Sequence, residues 1–232
     1  MAGFDKFIKL PEGETVALCI SLEEENDRRK VVLEQCKNLG IQVEFIIVKR
    51  HTDPVRGCLE SHVLAVSIAK QRNYPWVLIL EDDVVFQTEW LNHQIQLPSE
   101  WEMCMVGHNI QIGFLDGSNL IRALAAYTTH AYIIRNTMYD FVMLHAPQSP
   151  TNWPNYEFKL KHEVPGIDVF YRLGVHSRGK TWAIYPMLAT QAPGYSSIEK
   201  TYVDYTKLMA QNANRAASLT ESEFKAKHSL LQ

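Results

Sequence analysis

Apolar positions along the first third of the chain switch between strand and helix spacing. "ETVALCIS" (Glu14–Ser21) is a β-rich apolar run and predicts a first strand. "NDRRKVVLEQCKNLG" follows, with Val32, Cys36 and Leu39 at helical spacing, Asn26 or Asp27 as the capping residue and Gly40 as a C-terminal stop. "VEFIIVK" (Val43–Lys49) predicts a second buried strand, and "GCLESHVLAVSIAKQR" (Gly57–Arg72) a second helix with Leu59, Val63 and Val66 on one face. "WVLIL" (Trp76–Leu80) is apolar on both faces, the pattern of a central parallel strand. Strand, helix and strand joined by short links predict an α/β sheet, mainly parallel, flanked by helices.

Further on, "WEMCMVG" (Trp101–Gly107) predicts a fourth strand. Asp116-Gly117 between "NIQIGFL" and "NLIRALAA" is a hairpin signal. "HAYIIR" (His130–Arg135) predicts another strand, and Asn136 a cap for the helix "TMYDFVMLHA". Residues 147–166, rich in Pro, Asn and Trp, predict a long surface loop; "GIDVFYRLG" predicts a short helix and "TWAIYP" a last strand. The polar tail ends in helix, with "SLTE" (Ser218–Glu221) as a capping box. No repeat, low-complexity segment or linker interrupts the chain, so one domain over 1–232 is expected, with a core from about 14 to 199 and a polar helical tail over 200–232.

Composition narrows the classes. Hydrophobic content of 46% and charged content of 21% are those of a globular protein, and a net charge of −3 with no basic run disfavours nucleic acid as a partner. Cys19, Cys36, Cys58 and Cys104 form no CxxC pair, and most sit in apolar surroundings, as buried thiols rather than a disulfide framework or zinc site. "MAGFDKFIKLPEGE" lacks the apolar run of a signal peptide, and no stretch approaches a membrane span. A soluble protein of the cytoplasm or another intracellular reducing compartment is expected.

The candidate chemistry sits where "WVLIL" runs into Glu81, Asp82 and Asp83. In an open α/β sheet ligands bind at the carboxyl ends of strands, near the reversal of strand order. In an extended segment Glu81 and Asp83 project to one side and Asp82 to the other. Two carboxylates on one side make a hard oxygen site suited to Mg²⁺ or Mn²⁺, and such an ion can clamp a diphosphate. The structural alternative is an exposed turn of solvated acids. "RGCLESH" places Gly57 at a helix start, where free N–H groups favour an anion, with Ser61 and His62 one turn in; a satisfied core histidine is the competing account of His62. "DRR" (Asp27–Arg29) offers an arginine to a phosphate or a uracil edge, or a solvated helix face. Asp168 in "GID" lies at a helix start, where capping alone is an adequate reason for it.

Taken in this order, the pieces resemble glycosyltransferase family 25, which includes bacterial lipo-oligosaccharide galactosyltransferases and collagen galactosyltransferases. "SLEEENDRR" stands where the family has Asn-Leu, a spacer and Asp-Arg, with Ser21 in place of Asn; "GCLESH", "LEDD" and "THAY" stand as in the family. "GID" replaces a frequent Pro-x-Asp with Gly166 in place of Pro, and "YPMLATQAPGYSSIE" closes the series. The resemblance covers about Thr15 to Glu199. It implies a GT-A-like fold and an inverting transfer of a hexose, by family galactose, from a UDP-sugar to a hydroxyl of a glycan or glycoprotein, as in lipopolysaccharide biosynthesis, with Mn²⁺ (or Mg²⁺). On that reading Asp83 is the direct metal ligand with Glu81 beside it, and Asp82 bonds sugar or ribose hydroxyls. His130 or Gln191 completes metal or phosphate contacts, and Asp168 is the general base. Ser21, Leu22, Arg28, Gly57, Ser61 and His62 line the nucleotide side, and Trp153, Tyr156 and His162 in the long loop are candidates for stacking on an acceptor sugar. The alternative is a relative that keeps the fold, has lost turnover and serves as a nucleotide-sugar-binding or scaffold module, which the departures at Ser21 and Gly166 leave open.

Overall fold

A computed structural model of the chain describes residues 8–9, 16–87, 95–148 and 166–229. The beginning of the expected first strand at Glu14, and the loop residues from 149 to 165 with their aromatic side chains, lie outside the described residues. The first half runs β1 (Ile8–Lys9), β2 (Val16–Leu22), α1 (Asn26–Leu39), β3 (Gln42–Val48), α2 (Pro54–Gln71), β4 (Trp76–Glu81), β5 (Val84–Phe86) and β6 (Ile95–Gln96). Then come β7 (Met103–Met105), β8 (Asn109–Leu115), β9 (Leu120–Tyr127), β10 (Ala131–Arg135), α3 (Tyr139–His145) and α4 (Ile167–Phe170). The chain closes with β11 (Thr181–Ile184), β12 (Ala189–Gln191), β13 (Gly194–Ser196), β14 (Thr201–Val203), α5 (Thr206–Ala217) and α6 (Glu221–Ser229).

Eight strands form the central sheet in the order β3-β2-β4-β10-β7-β11-β9-β8. β3, β2 and β4 pair in parallel, as do β7 and β11. β10 and β9 run against their neighbours, so the remaining six strands share one direction. The fold is therefore α/β with a large, mainly one-directional sheet between helices. β4 is buried on both faces, as its uninterrupted apolar run requires. Leu18, Val77 and Ile79 pack on one face with Ala65, Val66 and Ala69 of α2, while Ala17, Cys19, Leu78 and Leu80 pack on the other with Val32, Cys36 and Leu39 of α1. This is the alternation that strand geometry imposes. Cys19, Cys36 and Cys104 are buried free thiols, and Cys58 is half-buried and also free.

From β2 the chain goes out through α1 to β3 on one side, then returns through α2 to β4 on the other. Strand order reverses there, and the crevice opens at the carboxyl ends of these three strands. Helix boundaries decide what each contributes. α1 stops at Gly40 in the left-handed region (φ 67°), with the N–H of Ile41 donating to Cys36 O at 2.8 Å. Neither expected cap begins α1: Asn26 is already helical, and Asp27 pairs with Lys30 at 2.8 Å. α2 starts at Pro54, three residues before Gly57, because Asp53 caps it, accepting from Val55 N at 3.0 Å and Arg56 N at 3.3 Å. The cap expected of Asn136 is replaced by a short 3₁₀ turn, Asn136–Met138, with no side-chain bond. The capping box of α6 is Thr220 with Glu223, two residues beyond "SLTE": the Thr220 N–H donates to Glu223 Oε2 at 2.8 Å and the Glu223 N–H to Thr220 Oγ1 at 3.3 Å. Asp116-Gly117 does turn the β8–β9 hairpin, with Gly117 at φ 89°. α5 is anchored to the sheet, since Met209 and Asn212 are buried and Asn212 Nδ2 donates to Asn109 Oδ1 at 2.7 Å. Among the described residues no helix is long and apolar enough to cross a membrane.

Two histidines in this scaffold make stability depend on pH. Burial pushes His108 down to about 4, and burial, with Arg172 nearby, pushes His176 down to about 3. In each the ring is neutral: His108 Nε2 contacts Ile184 O at 2.9 Å, and His176 Nδ1 accepts from Ala126 N at 3.2 Å. The unfolded chain takes up these protons near pH 6.5 and the folded chain does not, so stability falls as pH drops below that value. Each histidine is expected to remove about 2 kcal/mol between pH 7 and pH 5. Urea unfolding midpoints at the two pH values check this, and His176→Gln should show a visibly smaller drop than wild type.

Candidate active site

The cleft at the switch point is walled by the ends of β2, β3 and β4, by the first turns of α2 and by the segment from Gln191 to Tyr205. Counted together with the solvent it opens to, the space between these walls is about 1090 Å³. The last wall arrives from far along the chain. β12 pairs antiparallel with β5, setting Gln191 opposite Val84, and the Ala192 N–H donates to Asp83 O at 2.7 Å.

Each acid has a different environment. β4 ends at Glu81, and Asp82–Asp83 form a turn rather than continued strand. Glu81 Oε1 accepts from Thr129 Oγ1 at 2.8 Å and contacts His62 Nε2 at 3.3 Å. Burial raises its carboxyl, but the hydrogen bonds from His62 and Thr129 outweigh this and leave it below its ordinary range. Asp82 accepts from Arg28 Nη1 at 3.2 Å. Asp83 Oδ2 accepts from Gln191 Nε2 at 2.7 Å, while its Oδ1 is buried without a hydrogen-bond partner. Burial first, and the Glu81 charge second, push Asp83 up to about 7. Its neighbour Asp82 weighs less on it than Glu81 does. The extended segment from which Glu81 and Asp83 were expected to share a side is replaced here by the turn. The acids thus meet His62, Arg28 and Gln191 respectively, and only Asp83 keeps a bare buried oxygen.

The remaining expected residues divide. Ser21, Leu22, Arg28, Gly57, Ser61, His62 and Gln191 all line the cleft. Ser21 is already engaged, accepting from Arg29 Nη1 at 2.8 Å. Arg29 also donates to the carbonyls of Leu22 and Glu23 and to Asn26 Oδ1, so it staples the turn after β2 and leaves Arg28 to face the cleft. Gly57 is not a free anion site: its N–H donates to Asp53 O at 2.9 Å. Its lack of a side chain answers a close approach instead, since a Cβ there would meet His51 Cβ at 2.6 Å. Ser61 Oγ bonds back to Gly57 O at 2.7 Å. His62, 1% exposed, joins the cleft to the core, its Nδ1 at 2.9 Å from the Tyr132 hydroxyl. His130 does not line the cleft. Its ring is fully buried against Gly107 and Ala189, and its backbone carbonyl accepts from the Glu81 N–H at 3.0 Å. Asp168 sits in the first turn of α4, after Gly166 at the helix boundary, and also stands outside the lining; its charge nonetheless reaches Cys58. Lining residues that sequence reasoning passed over include Lys49, Arg50, His51 and Cys58, with Tyr195 and Tyr205 on the far wall. "KRH" directly after the second parallel strand was a readable signal, because that end of the strand must border the same crevice.

Residues 47–144, from the end of β3 through α2 and the three acids to α3, match the family model of glycosyltransferase family 25 (LPS biosynthesis protein). A search of curated proteins returns no match. Among solved structures, a glycosyltransferase involved in the glycosylation of the major capsid of PBCV-1 is similar, at 13% identity over 75% of this chain and 95% of that one, with a TM-score of 0.43. A197 from STIV aligns at 12% identity over 82% of this chain and 93% of its own, with a TM-score of 0.45. The nucleoside-diphosphate-sugar pyrophosphorylase from Vibrio cholerae RC9 does so at 14% over 73% and 72%, with a TM-score of 0.40. The protein is a glycosyltransferase. The family 25 match spans residues 47–144, less than half of the chain, and that segment carries the Glu81-Asp82-Asp83 turn.

Proposed function

We propose that the protein transfers a hexose, galactose by resemblance, from a UDP-sugar to a hydroxyl of a glycan or glycoprotein, with inversion at the anomeric carbon and with Mn²⁺ or Mg²⁺. The observation that carries this reading is Asp83 Oδ1, a buried carboxylate oxygen with no hydrogen-bond partner, beside the cleft at the switch point of the sheet. The residues present fit a hard divalent cation: Asp83 would be its direct ligand, and Glu81 a second carboxylate through the oxygen not already given to His62 and Thr129. When bound, such an ion neutralises charge on a departing diphosphate.

The chain's own groups would do the rest. Arg28, held at 3.2 Å from Asp82, brings fixed positive charge to the nucleotide side, with Ser21, Leu22, Gly57 and Ser61 shaping its wall. Asp82 would trade its arginine contact for sugar or ribose hydroxyls. Gln191 orients Asp83, and His130 acts through its backbone carbonyl on Glu81 rather than by touching the donor. Asp168 would take the proton of the acceptor hydroxyl as that oxygen attacks the anomeric carbon and the diphosphate leaves. Its place outside the cleft lining requires the acceptor to enter from the α4 side.

The test is direct. UDP with Mn²⁺ at roughly one hundred times its Kd should stabilise the protein by about 2.7 kcal/mol, which for a chain of this length raises Tm by ~5–10 °C. Release of UDP across a panel of UDP- and GDP-sugars then identifies the donor. An unmoved melting curve overturns the donor assignment. A shift with no UDP release above background overturns turnover and leaves a binding module.

A further inference from the structure

A second set of donors borders the same cleft without belonging to the acidic turn. Cys58 and His62 are four residues apart on α2, hence on one face of it. Glu81, the last residue of β4, comes opposite them. The ligand atoms of all three lie within 4.8 Å of one another. Tetrahedral bonds of ~2.0–2.3 Å place ligands roughly 3.5 Å apart, so side-chain shifts of about 1 Å close the triangle.

Three features point to a ligand rather than to packing. His62 is 1% exposed, and its Nδ1 is held at 2.9 Å by the Tyr132 hydroxyl, itself 2.9 Å from the Tyr171 hydroxyl. That chain fixes the ring and leaves Nε2 as the atom facing Glu81 at 3.3 Å, as a second partner fixes metal-bound histidines. Cys58 Sγ makes no hydrogen bond among the described residues, and Glu81 uses only Oε1 in its bonds to Thr129 and His62. All three residues line the cleft, so a fourth coordination position would open toward a bound substrate.

One sulfur, one imidazole nitrogen and one carboxylate oxygen form a borderline set, which zinc accepts and which Mg²⁺ and Mn²⁺, preferring oxygen, do not favour. We propose that Cys58, His62 and Glu81 form a resident site for a zinc-class divalent cation, distinct from the ion that a nucleotide sugar would bring to Asp83. Glu81 is common to both sites: Oε1, freed as His62 Nε2 turns from it to the metal, would serve this one, and the other oxygen the ion at Asp83. Binding releases the Cys58 thiol proton to solvent as the Sγ–metal bond forms, with no change of oxidation state. The inference does not rest on the donor or the acceptor, because it concerns the nucleotide-free protein.

The experiment uses the full chain, stripped of metal and titrated with Co²⁺ and then Zn²⁺ in the absence of nucleotide. One equivalent of Co²⁺ should produce a thiolate-to-cobalt charge-transfer band with the ligand-field absorption of a tetrahedral site, and Zn²⁺ should displace both. Cys58→Ser should remove the charge-transfer band, with its metal-free melting curve checked against wild type to show that it folds. Tyr132→Phe should weaken cobalt affinity about 10–100-fold while keeping the band, as loss of an orienting partner does. Asp83→Asn should leave cobalt binding unchanged. Absence of the band in the wild type, or its persistence in Cys58→Ser, overturns the proposal. Cobalt binding lost only in Asp83→Asn also overturns it and assigns the ion to the acidic turn. None of these results bears on whether UDP with Mn²⁺ shifts Tm, so the two readings fail separately.

Discussion

Asp83→Asn is expected to lower UDP release by about 10²–10³-fold, the effect of removing one preorganised charge contact to the transition state, while leaving the ligand-free protein at least as stable as wild type. Both halves follow from the same geometry. Asp83 is a buried carboxylate whose Oδ1 has no partner and on which the charge of another acid, Glu81, weighs more than that of Asp82 or Arg28. A charge in that position costs stability until something positive arrives. Asparagine removes the charge and keeps an oxygen for Gln191 Nε2, now bonded at 2.7 Å. The contrast is Glu81→Gln, where the removed charge is already satisfied by His62 and Thr129; that change should cost the ligand-free protein about 1–3 kcal/mol as well as activity. Thermal melts without ligand, beside initial rates of UDP release, separate the two. If Asp83→Asn keeps turnover within about threefold of wild type, Asp83 does not hold the activating charge.

Parts of this site could be read from residues alone, and the division has a physical basis. "WVLIL" is apolar at every position, which only a strand buried on both faces tolerates, so the place of Glu81, Asp82 and Asp83 at a central strand end followed from local pattern. The roles of Arg28 and Arg29 did not. Both lie in one helical turn, and only the fold shows that Arg29 staples the loop at Ser21 while Arg28 meets Asp82. The apolar period begins near Gly57 and so predicts a helix start there, whereas Asp53-Pro54 fixes the start by a side-chain cap that periodicity does not register. His130, in "THAY", is placed at metal or phosphate contacts by the family resemblance and not by any local pattern. Its ring points under the turn instead, into space left by Gly107. The wall from Gln191 to Tyr205 depends on β12 finding β5 more than a hundred residues earlier, and such pairing leaves no local trace.

That space beside Gly107 sets the second large effect. Gly107→Ala is expected to destabilise the protein by about 1–3 kcal/mol, lowering Tm by ~2–12 °C, and to reduce UDP release with it. A Cβ at this position would stand 2.1 Å from His130 Nε2 and 2.7 Å from the carbonyl oxygen of Ala189. One of these is a fully buried ring and the other is backbone, so neither swings aside as an exposed side chain would. Relief has to come from moving His130 or β12. The first displaces the carbonyl that holds the Glu81 N–H; the second displaces Gln191, two residues beyond Ala189, and with it the contact to Asp83. A residue that touches no substrate therefore controls the positions of two of the three acids. His130→Ala in the same chain should restore part of the lost stability, since it removes the nearer clash and leaves the one with Ala189 O. Melting temperatures of the two single variants and the double variant form the cycle that measures this. An unchanged Tm in Gly107→Ala would show that the junction of β7, β10 and β12 can give way, and that Glu81 and Asp83 are held by something other than this packing.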